Sequence, residues 1–150
     1  MQDFKLSELP LCKKLFITAL LCFVGLVYIV FAIQIYISTE FNPSLIAESY
    51  GYMEYMEVTE HAHIYLPFYG IFCFAIPLTV LMFTGVSDKL KCFLGVFPFV
   101  LIPIDIGLMY LIPYVSTAFA TVLVIAGSTL AITLLIIQLL NLYDIWLRKA

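Results

Sequence analysis

The residues of this sequence best suited to chemistry lie close together, between positions 57 and 63. Both histidines of the chain, His61 and His63, follow Glu57 and Glu60 and directly precede a long apolar segment. Imidazole and carboxylate groups are common metal ligands, and histidine titrates near neutral pH. The cluster therefore indicates a cofactor, metal or proton site, to be weighed against a structural role.

Helix geometry separates the two histidines. Residues three or four positions apart share a face, so Glu57, Glu60 and His61 line up on one side of a helix, whereas His61 and His63 diverge. Pro67 has no amide to bond the carbonyl of His63, which leaves that carbonyl free. On this basis we predict that His63 is the more inward of the two.

Two cofactor hypotheses follow from the cluster, and the sequence does not identify the cofactor. The first is a metal ion bound by Glu57, Glu60, His61 and His63. A di-iron carboxylate bundle needs two Glu-x-x-His units, and here there is only the one from Glu60 to His63. The second is a b-type haem with His61 or His63 as an axial ligand, the other ligand coming from Met109, another subunit or a symmetry mate.

Two more polar residues stand inside apolar segments, at a similar depth. Asp105 lies shortly before the end of the third apolar segment, and Gln34 one turn before the end of the first. An acid inside a membrane-spanning helix is a functional hypothesis by default. Gln34, His61, His63 and Asp105 can therefore share one polar layer, and a third hypothesis is a proton or quinone site there, with His63 and Asp105 exchanging a proton. The structural alternative is that the histidines bond neighbouring helices or water and that Asp105 pairs with one of them or with a tyrosine.

Composition places the whole chain in a bilayer. Apolar residues make up 64% of the 150 positions and charged residues 11%, against about 45–50% and about 25% in soluble domains. So short a chain cannot bury that much apolar surface in water. The net charge of −3 argues against nucleic acid as a partner. The cysteines form no C-x-x-C pair, and no disulfide framework is predicted.

Four segments are long and apolar enough to cross a membrane, which takes about 20 residues. They predict a single all-α domain over residues 1–150 with four transmembrane helices, at about 15–38, 57–85, 92–112 and 115–143. Asn42 and Pro43 form an N-cap and N1 pair. That pair predicts a short interfacial helix in the first connection.

Charge predicts the orientation of these helices. The first connection carries acidic residues only, and the four spans place every basic residue on the opposite side of the membrane. The positive-inside rule then predicts cytoplasmic N- and C-termini, an extracytoplasmic first connection, and a bacterial inner membrane as the location. The basic residues are Lys5, Lys13, Lys14, Lys89, Lys91, Arg148 and Lys149.

Two short motifs carry a resemblance to known membrane proteins. The run from Glu60 to His63, entering an apolar helix, is similar to His-x-His segments of haem-copper-oxidase-related proteins, which implies a haem ligand at His61 or His63. The further histidines of that family are missing here. With the later Leu142-Tyr143-Asp144-x-Trp146, the chain also resembles small uncharacterised four-span bacterial inner-membrane proteins.

With so little mass outside the bilayer, the chain is predicted to be a small subunit of a larger inner-membrane complex, respiratory or redox in character. Its polar layer would contact a partner or form a cofactor or proton site. Two alternatives stay open: a self-sufficient haem- or metal-binding homodimer of the b-type cytochrome kind, and a proton- or ion-coupling transporter element centred on Asp105. Lipid, other membrane subunits or a second copy are the expected partners. No nucleophile and base stand together, so catalysis by the chain alone is not expected.

Overall fold

The computed structural model describes residues 6–148, which form helices and turns without a strand. Four of these helices are long and apolar enough to cross a membrane. This confirms the predicted all-α class with four transmembrane helices. A turn of 3₁₀ helix and a short helix that we name the loop helix complete the fold. The order is 3₁₀ turn Leu6–Glu8, first span Leu11–Thr39, loop helix Pro43–Gly51, second span Tyr55–Met82, third span Asp88–Tyr114 and fourth span Phe119–Trp146.

The helix ends depart from the apolar segments by a few residues, because capping groups rather than hydropathy determine where a helix starts. The third span begins at Asp88 instead of residue 92, with an acid in its first turn where the helix dipole favours negative charge. The second span begins with a capping box: the Glu54 amide donates to Glu57 Oε2 at 3.0 Å. The fourth begins at Phe119, four residues later than predicted.

The predicted short helix is present in the first connection. Pro43 stands in its first turn, and the Asn42 side chain caps it by accepting a hydrogen bond from the Ser44 amide at 2.9 Å. Ile46 is its buried residue and packs with Met109 and Leu123. The loop helix is therefore fastened across one end of the bundle.

The second span changes its winding where its prolines stand. After Pro67 the helix widens into a π-helical segment, Phe68–Ala75, and returns to α-helix at Ile76. Tyr69 and Cys73 are buried on the inner side of this segment. Such wide turns are often found at functional sites, and here Tyr69 of the segment lines the cavity described below.

The bundle has two distinct ends. The loop-helix end holds the loop helix and the turn between the third and fourth spans. The termini end holds the starts of the first and third spans and the end of the fourth. Of the seven basic residues on which the predicted orientation rests, Lys5 and Lys149 lie outside the described residues. The other five basic residues all stand at the termini end: Lys13, Lys14, Lys89, Lys91 and Arg148.

The first span is the least packed of the four. Only Leu21, Val24 and Thr39 are buried along its 29 residues. The second, third and fourth spans form the core, with Phe74, Leu130 and Ile137 among its fully buried side chains. In a bilayer the exposed apolar side chains of the first span face lipid, so its loose packing carries no penalty of the kind it would carry in water.

Candidate functional site

A cavity of about 520 Å³ lies under the loop helix, bounded by all four spans. No lysine or arginine stands among the described residues that line it. Each of the five helices contributes at least one polar side chain to the wall. These residues are Tyr28, Gln34, Ser38, Thr39, Ser49, Tyr50, His61, Tyr65, Tyr69, Asp105 and Ser128.

Asp105 is the acid of this cavity. It is 2% exposed and stands nine residues before Tyr114, roughly 14 Å from the loop-helix end of the third span. No described residue donates a hydrogen bond to its buried Oδ1. Gly127 of the fourth span faces that oxygen, and a Cβ added at Gly127 would lie 3.8 Å from it. The missing side chain at Gly127 lets the fourth span approach closely.

Three tyrosine hydroxyls lie near enough to the carboxyl to interact with it electrostatically. Asp105 interacts electrostatically with Tyr28 of the first span, Tyr50 of the loop helix and Tyr69 of the second span. Burial raises the pKa of the Tyr50 hydroxyl, with smaller contributions from Tyr65 and Asp105. Tyr50 is therefore a neutral hydroxyl at neutral pH, able to donate a hydrogen bond.

A continuous row of rings forms one wall of the cavity. Centroids lie 6.0 Å apart between Tyr50 and His61, 5.8 Å between His61 and Tyr65, and 6.3 Å between Tyr65 and Tyr69. Phe31 of the first span meets Tyr65 edge-on at 5.2 Å and Tyr69 at 5.8 Å. These separations are those of favourable aromatic pairs. The row joins the loop helix and the first and second spans into one surface.

His61 is held in one orientation. Its Nδ1 lies 2.8 Å from the carbonyl oxygen of Glu57. Because a carbonyl only accepts, the ring donates from Nδ1, and in the neutral imidazole Nε2 keeps its lone pair. His61 is half-buried and can accept a hydrogen bond or bind a metal through that nitrogen.

The prediction that His63 is the more inward histidine is wrong. His63 is exposed and does not line the cavity, whereas His61 does. Two helical positions correspond to a rotation of about 200°, so the two rings point to opposite sides. The free carbonyl of His63 has no influence on where its side chain points. Of the predicted polar layer, the structure brings together Gln34, His61 and Asp105.

The predicted metal set of Glu57, Glu60, His61 and His63 is not brought together. Both glutamates are exposed, and the Glu57 carboxylate is engaged in the capping box at the start of the second span. Among residues 6–148, no three histidine, cysteine, aspartate or glutamate side chains are grouped so that they could hold a metal ion.

A second polar cluster, which we name the hub, lies at the termini end. The Asn141 side-chain amide donates to the Pro77 carbonyl at 2.9 Å. Asp144 Oδ1 accepts from the Gly85 amide and from Arg148 Nη1, both at 2.9 Å. Sequence reasoning gave Asp144 no role. The signal that would have revealed it is the spacing of residues 141, 144 and 148, which puts all three on one helix face.

The remaining hub contacts fasten the first span. The Gln138 amide donates to the Leu21 carbonyl at 3.2 Å, and Trp146 Nε1 donates to Thr18 Oγ1 at 2.9 Å. The hub therefore consists of Gln138, Asn141, Asp144, Trp146 and Arg148, all from the last part of the chain. Through it the fourth span is hydrogen-bonded to the first span, to the second span and to the turn that follows the second span.

Fold and cavity together define a small, four-span integral membrane protein whose helices contact lipid. A family model described as a transmembrane helical domain, Aq_1264_TM, matches residues 36–150. The chain belongs to this family. The matched region contains the loop helix, the second to fourth spans and Asp105. Comparison with curated proteins and with solved structures finds no match.

Proposed function

We propose that this protein is a small membrane subunit that binds a ligand at Asp105 in exchange for a proton. The observation that carries the proposal is a buried carboxyl with an unpartnered oxygen at the wall of a cavity large enough for a small molecule. An ionised carboxylate without a partner is very costly in an apolar environment. The group therefore either carries a proton or meets a cation, and exchange between these two states is a function in itself.

Binding of the ligand releases one proton. In the free protein the carboxylic acid of Asp105 holds the proton. A cationic ligand enters, the O–H bond breaks, and the carboxylate keeps the electron pair and faces the ligand. The proton leaves to water at the loop-helix end. The titratable groups that face this event are Tyr28, Tyr50, Tyr65, Tyr69 and His61.

Dicyclohexylcarbodiimide tests this assignment, because it is an apolar reagent that modifies protonated carboxyl groups in places with little water. In protein purified in mild detergent, we expect modification at Asp105, located by peptide mass spectrometry and absent from Asp105→Asn. Asp144 is the internal control, since it is a buried carboxyl that forms an ion pair with Arg148. Modification of Asp144 as fast as Asp105, or no modification of Asp105 in folded protein, contradicts the proposal.

The finer topology belongs to the same proposal. The termini end holds the five described basic residues and, by the positive-inside rule, faces the cytoplasm of a bacterium. Cys12 is exposed at that end. In intact cells a membrane-impermeant maleimide should leave Cys12 unlabelled and label a Glu48→Cys variant in the loop helix. The reverse pattern would invert the topology.

Assembly with other subunits is also part of the proposal. It is supported by the first span, most of whose length offers apolar side chains outward. A larger membrane complex would cover part of that face, as would a second copy. Cross-linking from the first span in native membranes, followed by mass spectrometry, tests this. A product that contains only the monomer would remove the subunit assignment and leave the Asp105 site intact.

A second candidate function is b-type haem binding, favoured by one observation: His61 and Met109 line the same cavity. A histidine and a methionine together ligate the iron of some cytochromes. A Soret band in the purified protein that is lost in His61→Ala but kept in His63→Ala would support it. Colourless protein from haem-replete cells would refute it.

A further inference from the structure

We infer that the ligand exchanged at Asp105 is an apolar organic cation, and that it reaches the site sideways from the bilayer, between the first and fourth spans. This inference rests on the proposed exchange at Asp105 and gives it a substrate class and an entry route.

The charge of the cavity selects a cation. Asp105 is the acid on its wall, and no described lining residue is a lysine or arginine. The nearby tyrosines, among them Tyr28 and Tyr50, are neutral hydroxyls whose dipoles can turn. In a medium of low dielectric constant, attraction between unit charges is many times stronger than in water. A cation beside the carboxylate is therefore strongly favoured, and an anion is repelled.

The aromatic wall selects an organic cation rather than a metal ion. Ring faces attract ammonium-type groups, and cages of several aromatic rings bind them in other proteins. Here Phe31, Tyr65 and Tyr69 stand at 53° to 86° to one another, so their faces and edges form a curved wall rather than a stack. A divalent metal ion instead needs several converging ligands, and no such group occurs in residues 6–148.

A second, open groove lies next to this cavity on the outer surface of the bundle. It has a volume of about 220 Å³ and is lined by the first and fourth spans alone. Tyr28 and Ala131 line both the groove and the cavity, so the two spaces are adjacent, and a turn of these side chains would join them. At Gly25 an added Cβ would meet nothing within 4 Å. Beside Cys22 and Ile29 the first span therefore has no side chain that fills the groove. This leaves room for the apolar part of a ligand whose charged group lies at Asp105.

Two ions of nearly equal size and shape but opposite charge test the ligand class: tetraphenylphosphonium and tetraphenylborate. We expect radiolabelled tetraphenylphosphonium to bind the purified protein, to protect Asp105 from the carbodiimide and to release protons into a weakly buffered solution. Tetraphenylborate should do none of these. Asp105→Asn should weaken tetraphenylphosphonium binding by at least about tenfold, while Asp105→Glu retains it.

Gly25→Phe tests the route, because Gly25 lines the groove but not the cavity, so the added phenyl group fills the groove and leaves Asp105 unchanged. Gly107→Phe is the matched control: Gly107 also has nothing within 4 Å of an added Cβ, and it lines neither space. We expect Gly25→Phe to slow tetraphenylphosphonium binding by about tenfold or more, and Gly107→Phe to bind at the wild-type rate. Equal rates in the two variants would refute lateral entry.

The outcomes separate this inference from the proposed function. If Asp105 reacts with the carbodiimide but the two ions protect it equally, or neither protects it, the ligand class is wrong and the exchangeable carboxyl stands. If Asp105 does not react in folded protein, the proposed function and the inference fail together.

Discussion

The two ends of this bundle contain equally buried carboxyl groups with opposite surroundings. Asp144 in the hub is 1% exposed and Asp105 at the cavity is 2% exposed. Two donors converge on Asp144 Oδ1, from the Gly85 amide and from Arg148, while no described donor reaches Asp105 Oδ1. Burial is the same in both places, and the provision of partners is what differs.

The presence or absence of hydrogen-bond partners gives the two carboxyl groups different effects on stability. A buried polar group with partners stabilises a fold modestly, and one without partners costs about 1–3 kcal/mol, more if it is charged. The second oxygen of Asp144 and the side-chain oxygen of Asn141 also lack partners. Each of those side chains is nevertheless anchored through its other polar atom. Asp105 has no such anchor among the described residues, and this is the arrangement that the proposed exchange of a ligand requires.

Loss of the hub carboxylate is the largest effect that we expect. Asp144→Ala leaves the Gly85 amide and the Arg148 guanidinium without their acceptor and should lower the free energy of unfolding by about 2 kcal/mol. Trp146, the single tryptophan of the chain, lies in the hub and reports its unfolding by fluorescence in mild detergent. Glu48→Ala, at an exposed position of the loop helix, should change stability by less than about 0.5 kcal/mol.

The equivalent change at the cavity should have the opposite sign. Asp105→Leu removes an uncompensated polar group from an apolar environment, so we expect a rise in the free energy of unfolding of about 1–2 kcal/mol. The same variant should lose tetraphenylphosphonium binding. If Asp105→Leu and Asp144→Ala destabilise the protein by equal amounts, the contrast between the two ends is wrong.

A smaller effect is expected where the hub holds the first span. Thr18→Val removes the acceptor of the Trp146 indole hydrogen bond, and such bonds between membrane helices average about 0.6 kcal/mol. Thr79→Val is the matched control, because the Thr79 hydroxyl bonds only to the Ala75 carbonyl of its own helix. Only Thr18→Val should both lower stability and shift the emission of Trp146.

The smallest effect is expected at Arg148, the basic partner of Asp144 in the hub. The Arg148 side chain is 42% exposed, so water and salt screen its attraction to Asp144. Arg148→Met should cost about 0.3–0.5 kcal/mol, and added salt should reduce the difference from the wild type. If Arg148→Met lowered the free energy of unfolding as much as Asp144→Ala, the ion pair, rather than the Gly85 hydrogen bond, would be the main stabilising contact of the hub.

Local patterns were enough to predict most of the fold. Hydropathy and length revealed the four spans, because the bilayer requires about 20 apolar residues whatever the packing. Asn42 and Pro43 revealed the loop helix, because a cap and an N1 proline act within a few residues of themselves. Depth arithmetic predicted Gln34, His61, His63 and Asp105 at one level, and of these four residues Gln34, His61 and Asp105 line the cavity.

The side of each helix that faces inward could not be read from the same patterns. In a bilayer both the lipid-facing and the core-facing sides of a helix are apolar, so periodicity gives little direction. The prediction that His63 is the more inward histidine therefore rested on its free carbonyl opposite Pro67, which does not determine where the side chain points. The role of Asp144 was missed for a related reason: near a membrane surface a polar side chain has a ready alternative partner in water and headgroups. Its partner in the fold, the Gly85 amide, lies 59 residues away in the sequence.

The hub also determines the order in which this protein can be completed during synthesis. At the termini end the first span is held by Gln138 and Trp146, which follow their partners Leu21 and Thr18 by 117 and 128 residues. The ribosome must therefore add more than a hundred residues after Leu21 and Thr18 before those contacts can form. Until then that end of the first span remains in the bilayer without its final neighbour. Closure of this end of the bundle is a late event that waits for the fourth span.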